Sequence, residues 1–402
     1  MKNTEQEIHI EKIRKEMQKT GADAFLVTSN VNLYYTIGQV VMGYLYIPLN
    51  GVPILFVRRP AGLNVETCHV ASLQYVRKPE QITEIMAEQG IPLPQCIMFE
   101  GDTITHSEWL RYEAIFHPAR AINGTPAIQR ARSIKTDAEL ELLRQSGKLH
   151  AAVYSKIPEL YHPEMTDLEI SIEIEREMRR AGNLGIFRVF GQSMEIFMGS
   201  VLAGDNACET SPYDFALGGK GLHPSLPVGV NNSALQRGTT IMVDLGGNFT
   251  GYMTDMTRTY SIGRISDKAC HAHQVALEIQ DEIVRMIRPG VISGDIYNRS
   301  LEMAKRYGLD GCFMGISQQA RFVGHGVGIE VNEAPIIGVR SRTELEPGMA
   351  LAVEPKFVIE GAGAVGIENT YIVTETGNEN LTKLCEEIVD LEISSFINHS
   401  IQ

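Results

Sequence analysis

The sequence contains no run of 18 apolar residues, no closely spaced cysteine pair and no surplus of positive charge. The first absence excludes a membrane-spanning helix. The six cysteines (Cys68, Cys96, Cys208, Cys270, Cys312 and Cys385) are scattered, and none forms a CxxC pair. They read as reduced thiols of a cytoplasmic protein, not as a disulfide framework or a thiolate metal site. Lys and Arg total 36 against 49 Asp and Glu, a net charge of -13. A general nucleic-acid surface needs a basic face, so nucleic acid is not an expected partner. The opening stretch MKNTEQEIHIEKIRKEMQ lacks the apolar core of a signal peptide.

What is present is 402 residues, 44% hydrophobic and 21% charged. This is ample for two soluble domains, which we place at residues 1–132 and 133–402. Ile8, Ile10, Ile13 and Met17 fall near helical spacing and predict an amphipathic helix over 5–20. Short apolar runs follow at Ala24–Val27, Tyr44–Leu49, Val52–Val57 and Cys96–Phe99, with Asn50-Gly51 as a tight-hairpin signal. Mixed helices and strands suggest a small α/β first domain without a cluster of ligand-type residues. Beyond Arg132, Thr136 with Glu139 and Thr166 with Glu169 form two capping boxes, opening helices that end near Ile157 and near Ala181-Gly182. A Gly- and Pro-rich stretch, 182–229, leads into strands over 239–262. Ser266 and Ser293 are read as caps of two more helices, ending at Arg288-Pro289-Gly290 and at Tyr307-Gly308. Strands follow around Phe322 and over 349–373. The order helix, helix, strands occurs twice, which implies two similar halves in which helices cover a sheet.

The strands carry the chemistry. In TTIMVDLGGNFTGYMTDMTRTYSIG, Asp244 and Asp255 are equidistant from the point between Phe249 and Thr250, with Gly-Gly-Asn read as the turn region. A symmetric hairpin would set them directly opposite, and like charges so placed are destabilising unless a cation lies between them. Glu354 and Glu368 are likewise equidistant from Gly361. Between these pairs lies Gly324-His325-Gly326, a histidine among glycines that permit close backbone approach. Four carboxylates and one imidazole suit two divalent ions, which would lower the pKa of a shared water and polarise a carbonyl. Hard oxygen donors with one nitrogen favour manganese, with cobalt, zinc or iron as the other candidates. Other signals weigh little: His271 and His273 point apart on a helix. Gly218-Gly219-Lys220-Gly221 lacks the spacing of a phosphate loop.

The segments VDLGGNFTGYMTDMTRTY, FVGHGVGIEVNEAP and LAVEPKFVIEGAGAVGIENTYIVTETG resemble those of the prolidase, aminopeptidase P and creatinase family of metallopeptidases. The resemblance covers roughly residues 135–380, and SNVNLYYTIG at 29–38 is similar to the smaller first domain of prolidases and creatinases. It implies an α/β "pita-bread" catalytic domain after a creatinase/prolidase-type N-terminal domain, with pseudo-symmetric halves and an antiparallel sheet under helices. It further implies a homodimer, with Asp244, Asp255, His325, Glu354 and Glu368 as metal ligands and Glu354 also helping to move a proton. Three positions depart from the family pattern. Val228 and Asn332 stand where relatives carry histidines, and Gly366 stands where prolidases often carry arginine. His223, on the Gly-rich loop, and Asn332 are the candidates to take over catalytic roles. The alternative for His223 is a surface loop residue. Arg258 and Lys356 are candidates for substrate binding, with a structural ion pair and a solvated strand end as their alternatives. The expected function is hydrolysis of Xaa-Pro peptides as a dipeptidase or aminopeptidase. The loss of both histidines keeps two other readings open: a non-peptide amide or amidine hydrolase or lyase of a small metabolite, and a non-catalytic binding protein.

Overall fold

The computed structural model describes residues 4–63, 70–191 and 197–393. Two compact units result, Met1–Arg132 and Ser133–Gln402. Among the described residues no helix is long and apolar enough to cross a membrane. The thiols of Cys96, Cys208, Cys270, Cys312 and Cys385 are free, and Cys68 lies outside the described residues.

In the first unit the amphipathic helix spans Glu5–Thr20 and buries Ile10, Ile13 and Met17. A six-stranded mixed sheet runs in the order Ser72–Tyr75, Ile54–Arg59, Met42–Pro48, Ala24–Val27, Cys96–Phe99, Arg120–Asn123. Ala24–Val27 and Cys96–Phe99 are buried throughout, as expected of central strands covered on both faces. The Asn50-Gly51 signal marks a real antiparallel hairpin. However, its loop takes residues 49–53 instead of a two-residue turn. Arg14 donates to the carbonyls of Pro48 and Gly51 and holds that wider loop.

The second unit repeats helix, helix, strands. Helices Asp137–Tyr154 and Asp167–Arg180 both carry the expected capping boxes, in which Thr136 and Thr166 accept from the backbone of Glu139 and Glu169. Their apolar faces, including Val153, Ile170, Ile174 and Met178, pack on Val243, Leu245 and Met256. Those residues belong to a four-stranded sheet ordered Val389–Asp390, Met253–Ser261, Thr240–Asn248, Gly199–Ala203. In the other half, helices Asp267–Met286 and Ser293–Arg306 pack Ile279, Ile283 and Ile296 on Val323, Val353 and Phe357. Their sheet runs Glu333–Gly338, Phe322–Gly326, Ala350–Val353, Asn369–Val373, Asn378–Asn380, beside a hairpin of Lys356–Ile359 and Gly363–Gly366. Ser266 caps as expected, accepting from Ala269. Ser293 does not: Ile292 holds the cap position, and the Ser293 hydroxyl pairs with that of Ser341 at 2.5 Å.

Among the contacts that join the two halves is an isolated bridge, where Thr257 and Glu368 exchange backbone hydrogen bonds of 3.3 and 3.2 Å. The expected centre at Gly361 holds along the whole second hairpin, since Lys356 pairs with Gly366 and Val353 with Asn369. Glu354 and Glu368 fall at the break between those two ladder segments, beside the inter-sheet bridge.

Candidate metal centre

The first hairpin differs from the symmetric one by two residues. Asp244 pairs with Thr257 and Asp255 with Gly246, so the two aspartates are diagonal neighbours and not opposed. The Gly-Gly-Asn segment is strand, and the turn lies at residues 249–252. A Cβ on Gly246 would come within 2.2 Å of the Phe187 ring, and one on Gly247 within 2.6 Å of His150, so packing keeps both glycines in the sheet. A slip of two leaves every side chain on its own face, and both carboxylates still point the same way. Asp244 is the one residue of its strand that is not fully buried.

His325 is supplied by the strand Phe322–Gly326, whose glycines allow tight pairing: a Cβ on Gly324 would lie 2.3 Å from the Ala352 carbonyl. Its Nδ1 lies 3.1 Å from the Gly326 carbonyl. Donation there leaves the Nε2 lone pair free to meet a cation. That Nε2 is 3.6 Å from Glu354 Oε1 and 3.9 Å from Asp255 Oδ2. The five side chains named from the sequence therefore converge, in two overlapping sets: Asp255, His325 and Glu368, and Asp244, Glu354 and Glu368. Donor atoms within each set lie within 4.8 Å of one another.

Burial, and then the proximity of like charges, pushes the carboxyls of Asp255 and Glu368 above their usual range, Glu368 to about 8. Glu354 is also raised, chiefly by burial. Carboxylates so crowded need positive charge. Lys356 provides some of it, donating to Asp244 Oδ2 at 2.8 Å, Glu354 Oε2 at 2.6 Å and Glu368 Oε2 at 3.2 Å. Burial opposes its charge, but the three carboxylates together hold its pKa well above the ordinary lysine value. The first set fits a divalent ion. Glu368 Oε1 is buried without a hydrogen-bond partner among the described residues, and the donors are oxygens plus one imidazole nitrogen. In the second set, the Lys356 ammonium already stands between the three carboxylates.

A cavity of about 130 Å³ opens onto the cluster. Asp244, Asp255, His325, Glu354 and Glu368 line it together with apolar residues that include Phe187, Val189, Phe215, Leu217, Val331 and Ile336, and with the polar Ser200, Asn332 and exposed Asp214. Sequence reasoning missed this apolar wall. The only signal was a set of aromatic residues in the Gly- and Pro-rich stretch, which has no periodicity to read.

The other candidates are placed differently. His223 is exposed on a tight turn, its ring 2.8 Å from Ser225 Oγ, and does not reach the cavity. Arg258 is buried and donates to the carbonyls of Cys385, Thr257, Glu368 and Thr382 and to Asn369 Oδ1. Its five N–H donors are thereby committed to the protein, leaving none for a substrate. Lys356 is fully buried against the carboxylates and is likewise not among the cavity residues. Asn332 does line the cavity, but both ends of its amide are bonded to the Phe190 backbone.

Known proteins share this architecture. Residues 141–375 match the model of metallopeptidase family M24, and residues 9–134 match the creatinase/prolidase N-terminal domain. An uncharacterized peptidase of Bacillus subtilis is 27% identical over 95% of this chain and 99% of its own length. An Xaa-Pro dipeptidase of Pyrococcus furiosus is 25% identical over 94% and 99%. The solved structure of an Xaa-Pro dipeptidase from Bacillus anthracis superposes with a TM-score of 0.79 at 26% identity, covering 96% of this chain and 99% of that one. The chain thus belongs to metallopeptidase family M24, with a creatinase/prolidase-type N-terminal domain, and that membership implies divalent metal ions.

Proposed function

We propose that this protein is a metal-dependent hydrolase that releases the N-terminal residue from dipeptides or short peptides with proline second. The observation that carries the reading is the convergence of Asp244, Asp255, His325, Glu354 and Glu368 in a cavity whose remaining lining is mostly apolar. Relatives named as Xaa-Pro dipeptidases support the same substrate class. Asp255, His325 and Glu368 would hold the ion, which polarises the scissile carbonyl and lowers the pKa of the attacking water. The apolar wall suits a proline ring, and its small volume suits a short substrate. The Asp214 carboxylate is available to a substrate ammonium terminus. Glu354 has one oxygen anchored by Lys356 and the other facing His325, which positions it to take a proton from the water and return it to the leaving amine. Manganese as the preferred ion and assembly as a homodimer complete the proposal.

The test is a panel of Xaa-Pro peptides with manganese-loaded protein. Release of the N-terminal residue is expected, and Asp255→Ala should reduce it by about a thousandfold or more by removing an ion ligand. A loaded protein inert on the whole panel would rule out the peptide assignment. A second reading, hydrolysis of a small non-peptide amide, is favoured by one observation: Asn332, where relatives carry a histidine, has its amide committed to Phe190. A metabolite panel read by mass spectrometry separates the two.

A further inference from the structure

We propose that Lys356 is a built-in cation: its ammonium stands where a second divalent ion would lie, among Asp244, Glu354 and Glu368, so that the chain holds one divalent ion, at Asp255, His325 and Glu368. This rests on the metal-dependent reading above and narrows it.

Three observations carry the inference. First, Nζ meets one oxygen from each member of the second set, at 2.8, 2.6 and 3.2 Å. An ion there would bind oxygens of the same carboxylates at about 2.0–2.2 Å. It would then press against a like charge already in the same ring. Second, the first set is untouched by these bonds at its key atoms. His325 Nε2 faces Asp255 and Glu354, and Glu368 Oε1 is buried with no hydrogen-bond partner among the described residues. Third, the lysine has no way out. Its side chain is 0% exposed. Its cross-strand partner is Gly366, where a Cβ would lie 2.7 Å from Lys356 Cα and 3.2 Å from its Cγ. The absence of a side chain at 366 is what leaves room for the lysine stem.

Charge does not decide the matter. Four carboxylates and the ammonium give -1 with one divalent ion and +1 with two, so the choice falls to space. Lys356 is therefore a positioning residue: it holds Asp244 and one oxygen of Glu354 in fixed orientation, a task that a second ion would otherwise perform.

The experiment is manganese binding to chelator-stripped full-length protein, read by elemental analysis and by electron paramagnetic resonance. The unaltered chain is expected to take up one ion with an isolated six-line spectrum. Lys356→Ala is expected to take up two, with the spectrum altered by coupling between ions about 3.5–4 Å apart. Lys356→Arg, which keeps the charge, should stay at one. Uptake of two ions or of none by the unaltered chain overturns the proposal, as does a folded Lys356→Ala that stays at one. If Lys356→Ala does not fold, the unaltered chain's stoichiometry and spectrum carry the test alone. Xaa-Pro cleavage measured on the same samples keeps the two ideas apart. One ion without cleavage supports the lysine assignment and removes the peptidase reading; two ions with cleavage does the reverse.

Discussion

Asn332 clasps a single backbone unit, that of Phe190: its Oδ1 accepts from the Phe190 N–H and its Nδ2 donates to the Phe190 carbonyl, both at 2.7 Å. One residue earlier, the Val331 N–H donates to the Arg188 carbonyl at 2.8 Å. The segment that brings Phe187 and Val189 to the cavity is thus tied to the strand region behind His325. Asn332→Ala removes two hydrogen bonds from a half-buried loop, about 1–2 kcal/mol of positioning. Under the peptidase reading, KM for Xaa-Pro peptides should rise roughly 5–30-fold with kcat much less affected. A kcat loss at unchanged KM would instead mean that Asn332 acts on the reacting atoms.

Arg258 should behave as a structural residue. Arg258→Ala removes five hydrogen bonds from a largely buried setting, among them those to the carbonyls of Thr382 and Cys385, while Thr257 and Glu368 keep the backbone bonds of their bridge and Asn369 Oδ1 keeps that from the Thr382 hydroxyl. A loss of about 3 kcal/mol or more in urea unfolding is expected, because breaking a buried charged network uncovers several polar groups at once. Arg258→Lys should recover little, as an ammonium cannot reproduce the planar fork. If Arg258→Ala folds normally and raises KM alone, the guanidinium faces substrate after all.

Asp214 offers the exposed wall carboxylate. Asp214→Asn should weaken peptides with a free ammonium terminus several-fold in KM, on the order of the 1 kcal/mol or less of an exposed ion pair. N-acetylated analogues should be insensitive to the change. Equal effects on both classes would detach Asp214 from the amino terminus.

His150 predicts an acid-sensitive fold. Burial pushes its pKa down to about 3, with the Arg258 charge adding to the effect, and its Nε2 has no hydrogen-bond partner among the described residues. The folded state therefore keeps it neutral, whereas the unfolded chain takes up a proton below about pH 6.5. Its stability contribution is complete above that pH and is lost as pH falls toward 3. At pH 5 the loss is about 2 kcal/mol, from some 1.5 pH units at 1.36 kcal/mol each. His150→Gln should flatten the stability profile between pH 6.5 and 5 by that amount, measured by urea unfolding at fixed ionic strength.

Much of this molecule was readable along the chain. The capping boxes at Thr136 and Thr166 depend on residues three apart, so their partners are local. Burial of Ile10, Ile13 and Met17 follows from helical period, and the centre of the second hairpin at Gly361 follows from the spacing of Glu354 and Glu368. The five ligand-type residues stood out because each is a charged or imidazole group on an otherwise apolar strand. What failed was whatever depends on groups distant in sequence. Gly246 and Gly247 read as a turn, but they pair within the sheet with Phe187 and His150 packed against them, so the register slips by two and the hairpin centre moves one residue on. Arg258 and Lys356 look alike on paper, as cations beside ligands. The carbonyls of 382 and 385 claim one, and Asp244, more than a hundred residues away, claims the other. The sequence by itself thus determined the helices, the repeated halves and the donors, because these arise from short-range periodicity and residue chemistry. Only the tertiary structure decided which cations meet which carboxylates and what walls the cavity, because a buried charge takes whatever counter-charge the completed packing brings within reach.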